Sequence, residues 1–162
     1  MIYSKKLQQD IPVTVEKVVF DNSNYRRITK YLVKDGKIAV GRVSVSDLPN
    51  GVNVEFMENF HPELYKGFGK IADQIEVEHC LNRGLDTFEI VSEAGLNSHA
   101  VHYKRGKRFI PDEVNKIVEN VIKTTPAGKQ YQTSFLGKVK MFMPQEVIKK
   151  YINIIKKCAL LR

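Results

Sequence analysis

The chain predicts a mixed α/β fold (an α+β mixed sheet) in which an antiparallel meander precedes alternating helices and strands. Three observations carry this expectation. Two hairpin signals, Asp35–Gly36 and Asn50–Gly51, separate β-rich segments in the first third of the chain. Two glycines, Gly67 and Gly69, open a stretch with helical periodicity. Beyond it, strand-like and helix-like segments alternate to the end. A sheet with helices packed on it follows from that order.

The elements can be justified in turn. Val13–Phe20 is short and β-branched, and Arg27–Lys34 and Lys37–Asp47 flank Asp35–Gly36. Val52–Phe60 follows Asn50–Gly51. Asp-Gly and Asn-Gly favour tight hairpins because both turn residues take positive φ there. Phe68, Ile71, Ala72 and Ile75 then share a helical face, and the pattern runs to about Asn82 before Gly84 stops it. Asp86–Ser92 reads as a strand, and Ser98–Arg105 as a short helix with Asn97 as its cap. Pro111–Lys123 is amphipathic, with Pro111, Asp112 and Glu113 suited to a helix start. Tyr131–Met143 alternates as a strand, and Pro144–Lys157 closes the series as a helix. Neither a repeat nor a Pro/Gly/Ser-rich linker divides the chain, so residues 1–162 are expected to form one domain.

Composition excludes several classes. The 162 residues are 43% hydrophobic and 27% charged, ordinary values for a globular protein with a continuous core. No apolar run approaches the roughly 18 residues of a membrane span. The start MIYSKKLQQD lacks the apolar stretch of a secretory signal, and a cytoplasmic location is expected. Two cysteines, Cys80 and Cys158, are too few for a disulfide framework or a zinc site; both fall in expected helices and read as small core residues. His99 and His102 lack accompanying ligands at metal spacing, and His79 continues the buried face of the central helix, so no metal is expected. Lys104–Arg162 carries 14 Lys and Arg against 4 Asp and Glu, whereas Met1–Tyr103 carries 12 against 14. That basic half suits a polyphosphate, an acidic substrate or nucleic acid, or is simply a set of solvated helix faces. Its helices interleave few aromatics, which disfavours nucleic acid.

The sharpest feature is Lys66–Gly67–Phe68–Gly69–Lys70, which leads from a strand and a Pro62-containing loop directly into a helix. The first turn of a helix has unpaired N–H groups and partial positive charge. Glycines let that backbone reach a phosphate, and no Ser, Thr or Asp is present to cap the N–H groups internally. The flanking lysines add full charge. A bare Gly-x-Gly also serves as a tight turn. Gly67-x-Gly69-x-x-Ala72, with Glu93 downstream, further fits a dinucleotide fingerprint. That fingerprint follows its strand at once and begins a parallel unit, whereas here a loop intervenes after an antiparallel meander.

With these residues in place, Tyr31–Phe109 resembles the general-control-type N-acetyltransferase (GNAT) superfamily. The likeness runs through KYLVKDGKIAVGRVSV, VNVEFMENFHPELYKGFGK, DTFEIVS and NSHAVHYKRGKRF. It implies a central strand splayed from its neighbour, with acyl-CoA in the gap and its pyrophosphate on the glycine turn. The glycines of the family's Arg/Gln-x-x-Gly-x-Gly/Ala motif match Gly67 and Gly69, while Leu64 stands where Arg or Gln is expected and Lys66 can compensate. Asn97, Ala100 and an aromatic before Gly106 match a second pattern, in which residue type favours Tyr103 and alignment on Gly106 favours His102. The helix at Pro111–Lys123 and the C-terminal helix are additions to the pattern.

The resemblance implies acetyl transfer from acetyl-CoA directly to a primary amine of a small molecule, peptide or protein. Glu55 and Glu58 are the nearest carboxylates to the cofactor strand and the candidate bases. Val52, Val54 and Phe56 define one face of that strand, so Glu55 is expected on the other and Glu58 near the family's bulge. Backbone N–H groups around Met57 and Glu58 would polarise the thioester carbonyl. Tyr103 would protonate the departing thiolate. The expected cofactor contacts are Met57, Glu58, Tyr65, Lys66, Gly67, Phe68, Gly69, Lys70, Asn97 and Tyr103. A catalytically silent CoA-binding module and, ranked below it, a basic nucleic-acid-binding domain are the alternatives; the sequence is compatible with a homodimer.

Overall fold

The computed structural model describes residues 1–22 and 26–161. In chain order these form β1 (Ile2–Ser4), β2 (Gln9–Ile11), β3 (Thr14–Asn22), β4 (Arg26–Asp35), β5 (Ile38–Leu48), β6 (Gly51–Asn59) and β7 (Tyr65–Lys66). There follow α1 (Phe68–Asn82), β8 (Glu89–Ala94), α2 (His99–Lys104), β9 (Arg108–Phe109), α3 (Asp112–Thr124), β10 (Val139–Phe142) and α4 (Gln145–Lys157). The fold is mixed α/β, with seven strands in the order β3-β4-β5-β6-β8-β10-β9. Contacts group the chain into two compact units, Met1–Ile90 with Lys150–Arg162, and Val91–Lys149.

The first unit is built on the expected antiparallel meander, β3 through β6. Its turns differ from the expectation. Asp35 pairs with Ile38, so Gly36 and Lys37 form the β4–β5 turn, and of the two only Gly36 has positive φ (58°). Leu48 pairs with Gly51, leaving Pro49–Asn50 as the β5–β6 turn. Gly51 is therefore a strand residue, and its reason is proximity: a Cβ there would lie 1.9 Å from the Glu89 carbonyl oxygen. The Glu89 N–H donates to Asn50 O at 2.9 Å, which starts β8 beside β6.

Cross-strand partners share a face. Tyr31, Val33, Val43, Val45 and Val52 are all buried, and α1 packs on β5 and β6. Phe68, Ile71, Ala72 and Ile75 supply the expected apolar stripe of α1, but Asp73, Glu76, Glu78 and His79 are buried as well. The chain end explains part of this. Tyr151 Oη donates to Asp73 at 3.4 Å, Gln74 Nε2 donates to Cys158 O at 2.9 Å, and Glu78 accepts the N–H groups of Leu160 and Leu161. Cys80 is buried, and burial pushes its thiol up to about 12. Cys158, expected as a core residue inside the last helix, is exposed just beyond α4.

The sequence places its first strand at Val13, but two short strands precede it. β1 pairs antiparallel with β2 and with β7, making a small separate sheet. In the second unit, β8 and β9 flank β10 in antiparallel pairing. Ala94, Ala100, Phe109, Val118, Val139 and Met141 form its core. The strand expected over Tyr131–Met143 is confined to β10; Ser134–Leu136 is a 3₁₀ turn. That turn is held by His99, whose Nδ1 lies 2.9 Å from Thr133 Oγ1 and whose Nε2 lies 2.8 Å from Gly137 O. No helix among the described residues is long and apolar enough to cross a membrane.

Candidate anion and acyl-transfer site

The first unit assembles the glycine turn from fixed parts. Phe60 N–H donates to Val40 O at 2.9 Å, ending the ladder between β5 and β6. The loop then folds on itself, with Leu64 and Tyr65 N–H groups both donating to His61 O. Lys5 N–H donates to Leu64 O, and Lys5 Nζ to Pro62 O, both at 2.9 Å. Tyr65 is buried, and its hydroxyl donates to Asp35 Oδ2 at 2.7 Å; burial and this bond push its phenol up to about 12. Tyr65 thus offers only backbone to the turn.

Gly67 is the N-cap of α1, with φ 96° and ψ 13°, and nothing lies within 4 Å of a Cβ placed there. No side chain caps the helix and its first turn contains no acid. Lys66 and Lys70 are exposed, and among the described residues neither makes an ion pair. Phe68 points inward against β5, where a Cβ at Gly41 would meet its Cζ at 2.6 Å. Gly69 is half-buried beside it. Unpaired N–H groups, left-handed glycine, open space and two lysines fit a pyrophosphate. Among the described residues no cluster of His, Cys, Asp and Glu is placed to hold a metal ion.

β6 holds the carboxylates, and its alternation breaks. Val45 pairs with Val54 and Ser44 with Phe56, so Glu55 is an extra residue: a β-bulge. The bulge sits at Glu55 and not near Glu58. It also turns Phe56 away from the face of Val52 and Val54, which corrects the expected alternation. Phe56 instead shares the face of Ser44, Arg42 and Glu58. Arg42 stacks its guanidinium 4.4 Å from the Phe56 ring centroid and lies 3.5 Å from Glu58 Oε2. Glu55 accepts a hydrogen bond from Ser46 Oγ at 2.5 Å. Met57 pairs with Val43 on the α1 side.

The second unit gives Asn97 and Tyr103 internal partners. Asn97 does not cap α2; Ser98 occupies that position. Asn97 Oδ1 accepts the N–H groups of Thr133 and Ser134 at 2.9 and 2.8 Å, tying down the 3₁₀ turn. Tyr103 Oη donates to Glu119 at 3.3 Å, and Arg108 lies 3.9 Å over its ring. His102 is buried, with Nδ1 accepting from Arg105 at 2.8 Å.

Sequence reasoning missed Ser46, Gly41 and β1. A serine alternating with valines in VSVSD was a usable signal for Ser46; nothing local marked β1 as the partner of β7.

No protein-family model matches the chain, and no curated protein matches it. Among solved structures it is similar to an IAA acetyltransferase from Bacillus cereus ATCC 14579, at 16% identity and a TM-score of 0.50, over 80% of this chain and 99% of that one. It also aligns with a putative GNAT-family acetyltransferase from Bacteroides thetaiotaomicron at 12% identity and a TM-score of 0.32, over 83% of this chain and 74% of that one. With its meander, glycine turn and central helix, the chain has the GNAT acetyltransferase fold.

Proposed function

We propose that the protein is an N-acetyltransferase that moves the acetyl group of acetyl-CoA directly to a primary amine. The observation that carries this reading is the start of α1: an uncapped, acid-free helix N-terminus behind a left-handed glycine with open space around it. A structural neighbour that is an acetyltransferase supports acetyl as the group transferred. Acetyl-CoA supplies an activated thioester; the first-turn N–H groups, Lys66 and Lys70 hold its pyrophosphate.

The remaining chemistry falls to β6. A lysine-like amine, with a pKa of about 10.4, costs roughly 4–5 kcal/mol to deprotonate at neutral pH, so a base is required. A carboxylate of β6, Glu55 or Glu58, takes one proton from the ammonium. The amine nitrogen then bonds to the thioester carbonyl carbon, and backbone N–H groups near Met57 and Glu58 stabilise the oxygen. The C–S bond breaks, and the amine's second proton balances the thiolate, whose own pKa of about 8.5 makes it a ready leaving group.

Calorimetric titration with acetyl-CoA and with NAD(P), followed by thiol-release assays against a panel of amines, tests this. Saturable acetyl-CoA binding with amine-dependent thiol release is expected. Binding of NAD(P) alone would overturn it, and acetyl-CoA binding without turnover on any amine would leave a CoA-binding module.

A further inference from the structure

We propose that β3 is the edge through which two copies of this chain join, pairing antiparallel about a two-fold axis at Val19; this does not depend on the acetyltransferase reading. The edges of the two sheets are unequal. β9, β2 and β7 end their sheets with two, three and two residues, and such short edges offer little to pair with. β3 ends the larger sheet with nine residues, Thr14–Asn22, all in register with β4. Every second residue of such a strand turns its N–H and C=O away from the neighbour it already has. Among the described residues no backbone group outside β4 answers them. Val18 and Val19 pair with Lys30 and Thr29 and so stand on opposite faces of the sheet, yet they are 51% and 40% exposed. An added strand would cover both.

The order of residues selects a second copy as the occupant. A two-fold axis normal to the sheet keeps each residue on its own face, so antiparallel self-pairing places one residue opposite its own copy. With Val19 there, Lys17 falls opposite Asp21 of the second copy, Val18 opposite Phe20 and Glu16 opposite Asn22, each twice by symmetry. Opposite charges and apolar pairs directly across a ladder are favourable. The neighbouring registers lack this match. Centring on Val18 sets Lys17 against Val19 and Glu16 against Phe20, and centring on Phe20 sets Val19 against Asp21. Lys17 is exposed and makes no ion pair among the described residues, whereas Glu16 is held by Lys34 at 3.0 Å. The interface is one strand pair wide, less than a permanent dimer buries, so a dissociation constant of about 10 μM is expected.

Sedimentation equilibrium of the full chain from about 1 to 500 μM tests this, with Lys17→Glu, Asp21→Lys and the double exchange as variants. The parent is expected to dimerise. Each single variant sets like charges opposite each other twice and should weaken the dimer about tenfold or more, while the double exchange returns the constant to within about threefold of the parent. Register is read separately in a Cys158→Ala background, which removes the exposed thiol. Val19→Cys puts two thiols at cross-strand spacing, and mild oxidation is expected to link the copies. Glu16→Cys, about 20 Å from its own copy along the ladder, should stay unlinked. A monomer across the whole range would overturn the proposal, as would a dimer indifferent to both charge variants or a Glu16→Cys link as fast as the Val19→Cys one. Circular dichroism checks that each variant is folded; if Lys17→Glu is not, the cysteine pair decides, because both of its sites are exposed.

Discussion

The hydroxyl of Tyr31 lies 2.6 Å from Nδ1 of His79, inside the core between β4 and α1. The other ring nitrogen, Nε2, lies 2.7 Å from Asp47 Oδ1. An ionised carboxylate only accepts, so Nε2 carries the hydrogen, Nδ1 of the neutral ring is the acceptor, and Tyr31 donates. Burial holds the pKa of His79 below the ordinary histidine value, and the Asp47 bond only partly offsets it. The unfolded chain therefore binds a proton at this residue before the folded chain does. The His79 contribution to stability is whole above the ordinary pKa of about 6.5 and is lost progressively as pH falls below it. Between pH 8 and 5 the thermal midpoint is expected to fall further in the parent than in His79→Gln. Equal falls would remove His79 as the source. Tyr31→Phe, which strands Nδ1 without a donor, should cost about 1–2 kcal/mol in urea unfolding at pH 8.

Gly41 leads to a second expectation. A Cβ there would meet Glu58 O at 2.5 Å and the Phe68 ring at 2.6 Å, and only a backbone or a buried ring could move. Gly41→Ala should therefore destabilise the fold by about 1–3 kcal/mol, as overpacking does. Phe68 is the first residue of α1, so its displacement also shifts the N–H groups of the glycine turn. Acetyl-CoA affinity is expected to drop by about tenfold, measured by calorimetry under conditions where the variant is folded. Unchanged affinity in a folded Gly41→Ala would show that Phe68 does not set the turn.

The meander, α1 and the glycine turn were legible because each is written in local chemistry. Turn residues stand between β-branched runs, and Gly67–Phe68–Gly69 precedes a period of 3.6. The bulge at Glu55 was not legible. VNVEFMEN alternates well enough to hide an inserted residue, and only the register against Ser44 and Val45 exposes it. Gly51 misled for a related reason. Asn-Gly is a turn signal, yet this glycine answers to Glu89, 38 positions away, whose carbonyl leaves no room for a side chain. Asn97 reads as a cap from its neighbours and serves Thr133 and Ser134 instead. Long-range partners are what a local pattern omits.

Gly67 separates strain from charge. Its φ of 96° is strained for any side chain, but nothing stands within 4 Å of a Cβ. Gly67→Ala and Gly67→Asp should each lower stability by only about 1 kcal/mol, the backbone penalty alone. Their effects on acetyl-CoA should diverge. The alanine methyl is expected to weaken binding by no more than about fivefold. An aspartate places a negative charge against the pyrophosphate, worth a few kcal/mol at about 4 Å and intermediate dielectric, so a loss of about 100-fold or more is expected. Parallel urea and calorimetric titrations of both variants check this. Equal binding by the two would mean that no anion sits at this turn.

Glu78 makes the last case. Its carboxylate accepts from Leu160 N at 2.8 Å, Leu161 N at 2.8 Å and Gln74 Nε2 at 3.1 Å, while Gln74 also donates to Cys158 O. Four acceptor lobes on one ionised group suit three donors, and a neutral amide in its place offers one oxygen and two unwanted donors. Glu78→Gln should therefore release Leu160 and Leu161 and destabilise the fold by about 1–3 kcal/mol, because buried α1 loses a charge-assisted partner. Amide hydrogen exchange distinguishes this from general weakening. The Leu160 and Leu161 amides are expected to exchange many-fold faster in the variant, while amides in the centre of β5 slow or speed only with global stability. Protection retained at Leu160 and Leu161 would show that the chain end is held by its apolar contacts and not by Glu78.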